Sequence, residues 1–194
     1  MDNRDQWVYV TCLCEGPNDA LLLGRMESFF ATFNLKVSPR VQVVIDSLVN
    51  NCYRLVRKFH VNGPVLMFFD EADLKQGHLD RLEKAASSFY PAMAVPVVRK
   101  IEAWLMADTQ AFSQAMGTGY GGPVPTDVIE DPKKFFLHSF RVAVRQKKRG
   151  FLSKETDFFR AVTWRWDLER ARLNNLSLDS FCSTFEAKMN GEWN

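Results

Sequence analysis

The sequence predicts an α/β fold: a mostly parallel four-stranded sheet flanked by helices, followed by a helical extension. Three observations carry this reading. Strand-like runs alternate with stretches of helical periodicity over the first ~100 residues. One run, VLMFF at 65–69, has five consecutive apolar residues, the pattern of a strand covered on both faces. From about residue 101 onward the chain reads as helices and loops.

Residues 7–13 (WVYVTCL) are β-branched and aromatic, the signature of a short buried strand. EGPND at 15–19 follows as a tight turn, with Asn18 as a helix cap. Leu22, Leu23, Met26, Phe29, Phe30 and Phe33 then recur at helical spacing and predict a helix over 20–33. VQVVI at 41–45 is a weaker second strand, broken upstream by Pro39. Leu48, Val49, Cys52, Leu55, Val56 and Phe59 mark an amphipathic helix over 46–60, which Gly63-Pro64 ends. The third strand, 65–69, stops abruptly at Asp70-Glu71-Ala72-Asp73; a helix over 78–89 and a fourth strand over 92–98 follow.

This order calls for right-handed crossovers. Ligands in such sheets bind beyond the carboxyl ends of the strands, where both acidic clusters fall. IEAWLMADTQAFSQAM at 101–116 predicts a helix bent near Asp108, and the Gly/Pro-rich stretch 117–125 a loop. Asp131-Pro132 reads as an N-cap with Pro at the first helical position, opening a helix to about Arg145. Short helices, one over 177–189, complete the chain. The expected organisation is an α/β core over 1–108 with a helical extension over 109–194 packed on it.

Composition is that of an ordinary globular chain: 194 residues, 46% hydrophobic, 25% charged, with 16 Phe and five Trp. The net charge of +2 is too small to argue for a polyanionic partner by itself, but its distribution is uneven. Lys133, Lys134, Arg141, Arg145, Lys147, Lys148 and Arg149 occur with no acidic residue among them. Asp70, Glu71, Asp73, Asp80 and Glu83 form the opposite extreme. A basic face beside a carboxylate cluster suits a phosphate-rich substrate, and a solvated helix and loop account for the same residues equally well. Phe135, Phe136 and Phe140, interleaved with the basic residues, read as the face that docks this helix.

Cys12 and Cys14 should share one buried face of the first strand. With Cys52 and Cys182 they make no zinc-ligand spacing, so reduced thiols and a cytoplasmic setting are expected. The polar N-terminus is unlike a signal peptide, and no apolar run is long enough to cross a bilayer, so no membrane association is expected. VLMFFDEAD also has the form of an ATPase Walker B segment, but no Gly-Lys dipeptide exists to supply the phosphate loop, which excludes a P-loop ATPase.

Two carboxylate pairs remain. Glu15 lies two residues past the first strand and Asp19 four residues later; Asp70 ends the third strand and Asp73 follows within a turn. Carboxylates so placed can reach one point in space and suit Mg²⁺, which takes hard oxygen ligands and keeps several waters. For Asp19 the alternative is stabilisation of a helix N-terminus. Glu102 lies in the helix after the fourth strand and either reaches the site or makes a structural ion pair. Lys100 or Arg99 could neutralise charge developing on a phosphate.

The E-G-x-x-D segment at 15–19, followed by an apolar strand ending in aspartates, resembles the TOPRIM domain of topoisomerases, primases and certain nucleases. The match covers roughly residues 7–108 and is nearest the OLD-nuclease-like branch. IEAWLMAD at 101–108 is similar to a run found in a family of small stand-alone bacterial TOPRIM-like proteins. The resemblance implies a Rossmann-like sheet and Mg²⁺ or Mn²⁺ held by Glu15, Asp19, Asp70 and Asp73, with Glu15 as general acid or base. It also implies nuclease action on DNA or RNA. Service in anti-phage or anti-plasmid defence, with a separately encoded ATPase subunit and possible homo-oligomers, follows by analogy. The pattern departs from the family in one respect: D-x-x-D at 70–73 replaces D-x-D, so either the segment turns or Glu71 replaces a ligand. The alternative is a catalytically degenerate module that binds nucleic acid, a nucleotide or a partner protein.

Overall fold

The computed structural model describes residues 7–37, 42–43, 48–145 and 154–193. Five strands occur among them: β1 (Tyr9–Cys14), β2 (Lys36–Val37), β3 (Gln42–Val43), β4 (Val65–Asp70) and β5 (Ala92–Val97). The sheet order is β2-β1-β4-β5, with β3 also paired to β1. β1 runs parallel to β2, β3 and β4. Leu13 pairs with Gln42 on one side and Met67 on the other, so β2 and β3 lie along the same edge of β1, opposite β4. Of the second strand expected over 41–45, Gln42 and Val43 are described and form β3; β2, at Lys36–Val37, is an additional short strand upstream of it. Pro39, Val41, Val44 and Ile45 lie outside the described residues, as do Asp46, Lys147, Lys148 and Arg149.

The chain forms two compact units, Met1–Pro96 with Phe181–Asn194, and Val97–Ser180. In the first unit, period-2 alternation sorts β4 between two cores. Val65, Met67 and Phe69 join Leu13 against α3 (Leu48–Phe59) and α4 (His78–Ser88). Cys52, Leu55, Val56 and Phe59 of α3 and Leu82 and Ala85 of α4 complete that core. Phe68 points to the opposite face, where its ring lies 5.3 Å from that of Phe181. There Phe185 is the centre of an aromatic cluster, with ring centroids 5.3–5.7 Å from Phe29, Phe30, Phe33 and Trp193. Such pairs contribute about 0.5–1.5 kcal/mol each beyond their area burial.

The helix expected over 20–33 is two helices, α1 (Pro17–Gly24) and α2 (Glu27–Ala31). The first begins earlier than Asn18 as a cap would require: Gly16 is the N-cap and Pro17 opens the first turn. Proline at that position loses no intrahelical bond, and Asp19 reaches back to the Gly16 amide (2.8 Å), so Asn18 is not needed as a cap.

The second unit is helical, and its centre is α5 (Ile101–Ala107), all seven of whose residues are buried. Its backbone is tied on several sides. Ala103 O accepts from Thr126 Oγ1 (2.9 Å), Trp104 O from Trp166 Nε1 (3.1 Å) and Ala107 O from Asn174 Nδ2 (2.9 Å). The Trp104 indole donates to Ser177 Oγ at 2.7 Å. The bend expected near Asp108 is a break: α5 ends there and α6 (Thr109–Met116) starts, with the Asp108 carboxylate accepting from the Ala111 amide. α7 (Pro132–Arg145) opens at Asp131-Pro132 as its N-cap signal predicts, Asp131 Oδ1 accepting from the Lys134 amide. Phe136 is fully buried among Phe112, Phe158 and Phe159. Phe158 and Phe159 come from α8 (Glu155–Thr163), and α9 (Leu168–Arg172) and the start of α10 (Leu176–Ala187) close the unit.

Candidate functional site

In the strand order β2-β1-β4-β5 the chain leaves β1 in opposite directions, first toward β2 and later toward β4. The crevice at the carboxyl ends of β1 and β4 is therefore the switch point where open α/β sheets hold ligands. Glu15 follows the last residue of β1 and Asp70 is the last residue of β4, so one carboxylate stands at the end of each central strand. A 3₁₀ turn, Glu71–Asp73, absorbs the additional residue of D-x-x-D and brings Asp73 to the same opening. Of the two accommodations the spacing allowed, the segment turns.

Glu15, Asp70 and Asp73 line one cleft of about 480 Å³. Val49 and Asn50, in the first turn of α3, form another part of its wall, and Leu74, Lys75 and His78 complete it. His78 is the first residue of α4, entered through Gly77 at φ +79°, a left-handed conformation that glycine adopts without strain. The Lys75 amide donates to His78 Nδ1 at 3.3 Å. A ring nitrogen that accepts a backbone N–H carries no proton, so the His78 hydrogen sits on Nε2.

Asp19 is at the same strand end, but its Oδ2 takes the Gly16 amide and it is not among the cleft's lining residues. The field of these acids registers on the neighbouring thiol. Burial first, then the charge of Asp19, with lesser contributions from Cys12 and Glu15, push Cys14 well above the usual thiol range, against a lowering hydrogen bond to Gly16. Cys12, by burial alone, is pushed up to about 12. Both thiols are therefore protonated at neutral pH and serve the core.

The donor chemistry of the cleft, three carboxylates and an amide side chain, fits a hard divalent cation. Among the described residues no group of three or more His, Cys, Asp or Glu side chains is placed so that it could hold a metal ion as it stands. Lys100 and Glu102 belong to the second unit: Lys100 is the N-cap residue of α5 and Glu102 is buried within it. Arg99, at φ +61°, donates from Nη1 to the carbonyl of Glu130 in that unit.

Lys75, His78 and Asn50 were not singled out by sequence reasoning. The available signal was position alone, since Lys75 and His78 fall within eight residues of the acidic end of an apolar strand.

These features define a Rossmann-like α/β protein with a carboxylate-bearing cleft at its switch point. No family model, no curated protein and no solved structure matches the chain significantly. No helix among the described residues is long and apolar enough to cross a membrane.

Proposed function

We propose that this chain is a Mg²⁺- or Mn²⁺-dependent nuclease of TOPRIM type, hydrolysing phosphodiester bonds of DNA or RNA. The single observation that carries the reading is that Glu15, Asp70 and Asp73 line one cleft at the carboxyl ends of two adjacent parallel strands. In the reaction water adds at phosphorus and a bridging P–O bond breaks, leaving a phosphate monoester and a hydroxyl. A bound divalent ion would neutralise charge on the phosphate and lower the pKa of the attacking water. Glu15, Asp70 and Asp73 would hold it, with Glu15 the candidate to accept the proton of water. Asp19, engaged at Gly16, would fix the turn that presents Glu15. A polymeric substrate is supported by the second unit, where α7 exposes Lys134, His138, Arg141 and Arg145 at spacings of four, three and four residues, one basic stripe. Action within a defence system beside a separate ATPase rests on the resemblance alone.

A second reading, a degenerate module that binds without cleaving, is favoured by the engagement of Asp19 at the Gly16 amide, which leaves three carboxylates on the cleft. One experiment separates the two. Mg²⁺ and Mn²⁺ are titrated calorimetrically into wild type, Glu15→Ala and Asp70→Ala, and the same proteins are assayed on end-labelled DNA and RNA. The nuclease reading expects metal binding and cleavage to be lost together in both folded variants. Metal binding by the wild type, with no cleavage of either polymer, would favour the module. Metal affinity unchanged by either substitution would remove the site.

A further inference from the structure

The cleft is lined by two chemically opposite sets of groups. One is carboxylate: Glu15, Asp70 and Asp73. The other carries a primary ammonium, Lys75, and an imidazole, His78, whose Nδ1 is occupied by the Lys75 amide so that Nε2–H is its donor. His78 is half-buried and opens α4, an eleven-residue helix, while Lys75 is exposed at the rim. A bare cation is served by the first set alone and gains nothing from an ammonium beside it. A bare anion is repelled by three carboxylates. The ligand that satisfies both sets carries its own negative charge and brings a cation with it: a phosphate ester with a divalent ion.

We propose that Lys75 and His78 are the phosphate-binding side of the cleft, receiving the non-bridging oxygens of a phosphodiester while Glu15, Asp70 and Asp73 take the cation. The Nε2–H and the ammonium donate to phosphate oxygens in charge-assisted hydrogen bonds, which are about twice as strong as neutral ones. The division of labour rests on the nuclease reading for its cation, and the test separates the two.

The probe is the dinucleotide thymidylyl-3′,5′-thymidine, whose single phosphodiester is too small to engage a distant basic surface. Its binding is followed by ligand-observed NMR with and without Mn²⁺-matched diamagnetic Mg²⁺, and Mn²⁺ binding by calorimetry, on the full chain. Lys75→Ala and His78→Ala are each expected to weaken the dinucleotide roughly 5- to 20-fold without weakening Mn²⁺. Lys75→Arg keeps the charge and His78→Gln keeps an N–H donor, and both are expected to retain most of the affinity, which a merely structural role for His78 would not produce. Dinucleotide binding equal in wild type and in the Lys75→Ala/His78→Ala double variant, or absent in a wild type that binds Mn²⁺, overturns this assignment and leaves the metal reading standing. A wild type that binds no Mn²⁺, yet holds the dinucleotide through Lys75 and His78, overturns the metal reading and keeps the assignment.

Discussion

Asp108 and Arg170, 62 residues apart in the chain, meet in a two-point ion pair: Nε to Oδ1 at 3.1 Å and Nη2 to Oδ2 at 2.7 Å. The carboxylate is fully buried and also accepts from the amides of Ala111 (3.0 Å) and Asp167 (2.9 Å). Four accepted bonds replace the water it gives up. Bonding to Asp108 raises the Arg170 guanidinium further above its already high value. Asp108→Ala strands two amides and one cation and is expected to cost about 3–5 kcal/mol. Arg170→Ala removes two of the four bonds and leaves the buried carboxylate on its two amides with no counter-ion, so it should cost only somewhat less, about 2–4 kcal/mol. Urea unfolding followed by the fluorescence of the unit's tryptophans checks the order. An Asp108→Ala midpoint equal to wild type would show that the pair does not hold the unit.

The thiols make a prediction in pH. All four cysteines are buried. Burial moves Cys12 from an ordinary 9.0 to about 12, and Cys14 moves further in the same direction. In the unfolded chain both lose their protons near 9, whereas the folded chain keeps them. Above pH 9 the unfolded state therefore binds fewer protons, and the stability, fully present below pH 9, falls as pH rises toward 12. Urea midpoints measured from pH 8 to 11 should decline beyond pH 9, and Cys12→Ala should flatten the decline. At pH 8 a thiol reagent should label no cysteine in buffer within minutes and all four in urea.

Gly63 stands at φ +136°, ψ −168° just before β4, and a Cβ there would run into the carbonyl oxygen of Tyr9. The obstacle is backbone of the central strand, which cannot swing aside as a side chain does. Gly63→Ala is expected to cost more than about 2 kcal/mol. Gly24, the last residue of α1, meets nothing within 4 Å, and Gly24→Ala should be neutral or stabilising by up to about 1 kcal/mol. Equal urea midpoints for the two variants would contradict the contrast.

The alternation of strand and helix was legible because it is written in local pattern: VLMFF, five residues bounded by Gly63-Pro64 and an acidic turn, is too short for a helix and suits a strand covered on both faces, and Asp131-Pro132 suits a helix start. Asp108 was legible as a bend but not as a hub, since its partner Arg170 is set by tertiary folding. IEAWLMAD was legible as a helix but not as the centre of a unit: a helix buried on every side has no polar stripe, and its ties run through the carbonyls of Ala103, Trp104 and Ala107, which no side-chain pattern announces. The position of Asp19 suits a ligand and a helix stabiliser alike, and the Gly16 amide engages it in the second way. Lys75 and His78 escaped notice because single basic residues after a turn carry no periodic signal, and only the shape of the cleft joins them to Glu15.

The last prediction concerns α7. Pro132, Phe136, Ser139 and Ala143 face the core, so Lys134, His138, Arg141 and Arg145 share the exposed side, and the helix contains no acidic residue. From Lys134 to Arg145 the stripe is about 16 Å long at 1.5 Å per residue. Phosphates along one strand of a duplex are about 3.4 Å apart, so the stripe spans roughly five of them. Each cation that neutralises a phosphate releases condensed counterions and adds about 0.7–0.9 to the slope of log K against log salt. A Lys134→Ala/Arg141→Ala variant should therefore lower that slope by about 1.4–1.8, weaken DNA and RNA of any sequence alike, and approach wild-type affinity as salt is raised. Fluorescence anisotropy at three or more salt concentrations measures this directly. A slope unchanged by the double substitution would mean that the stripe is a solvated helix face, and that any polymer held by this chain is gripped elsewhere.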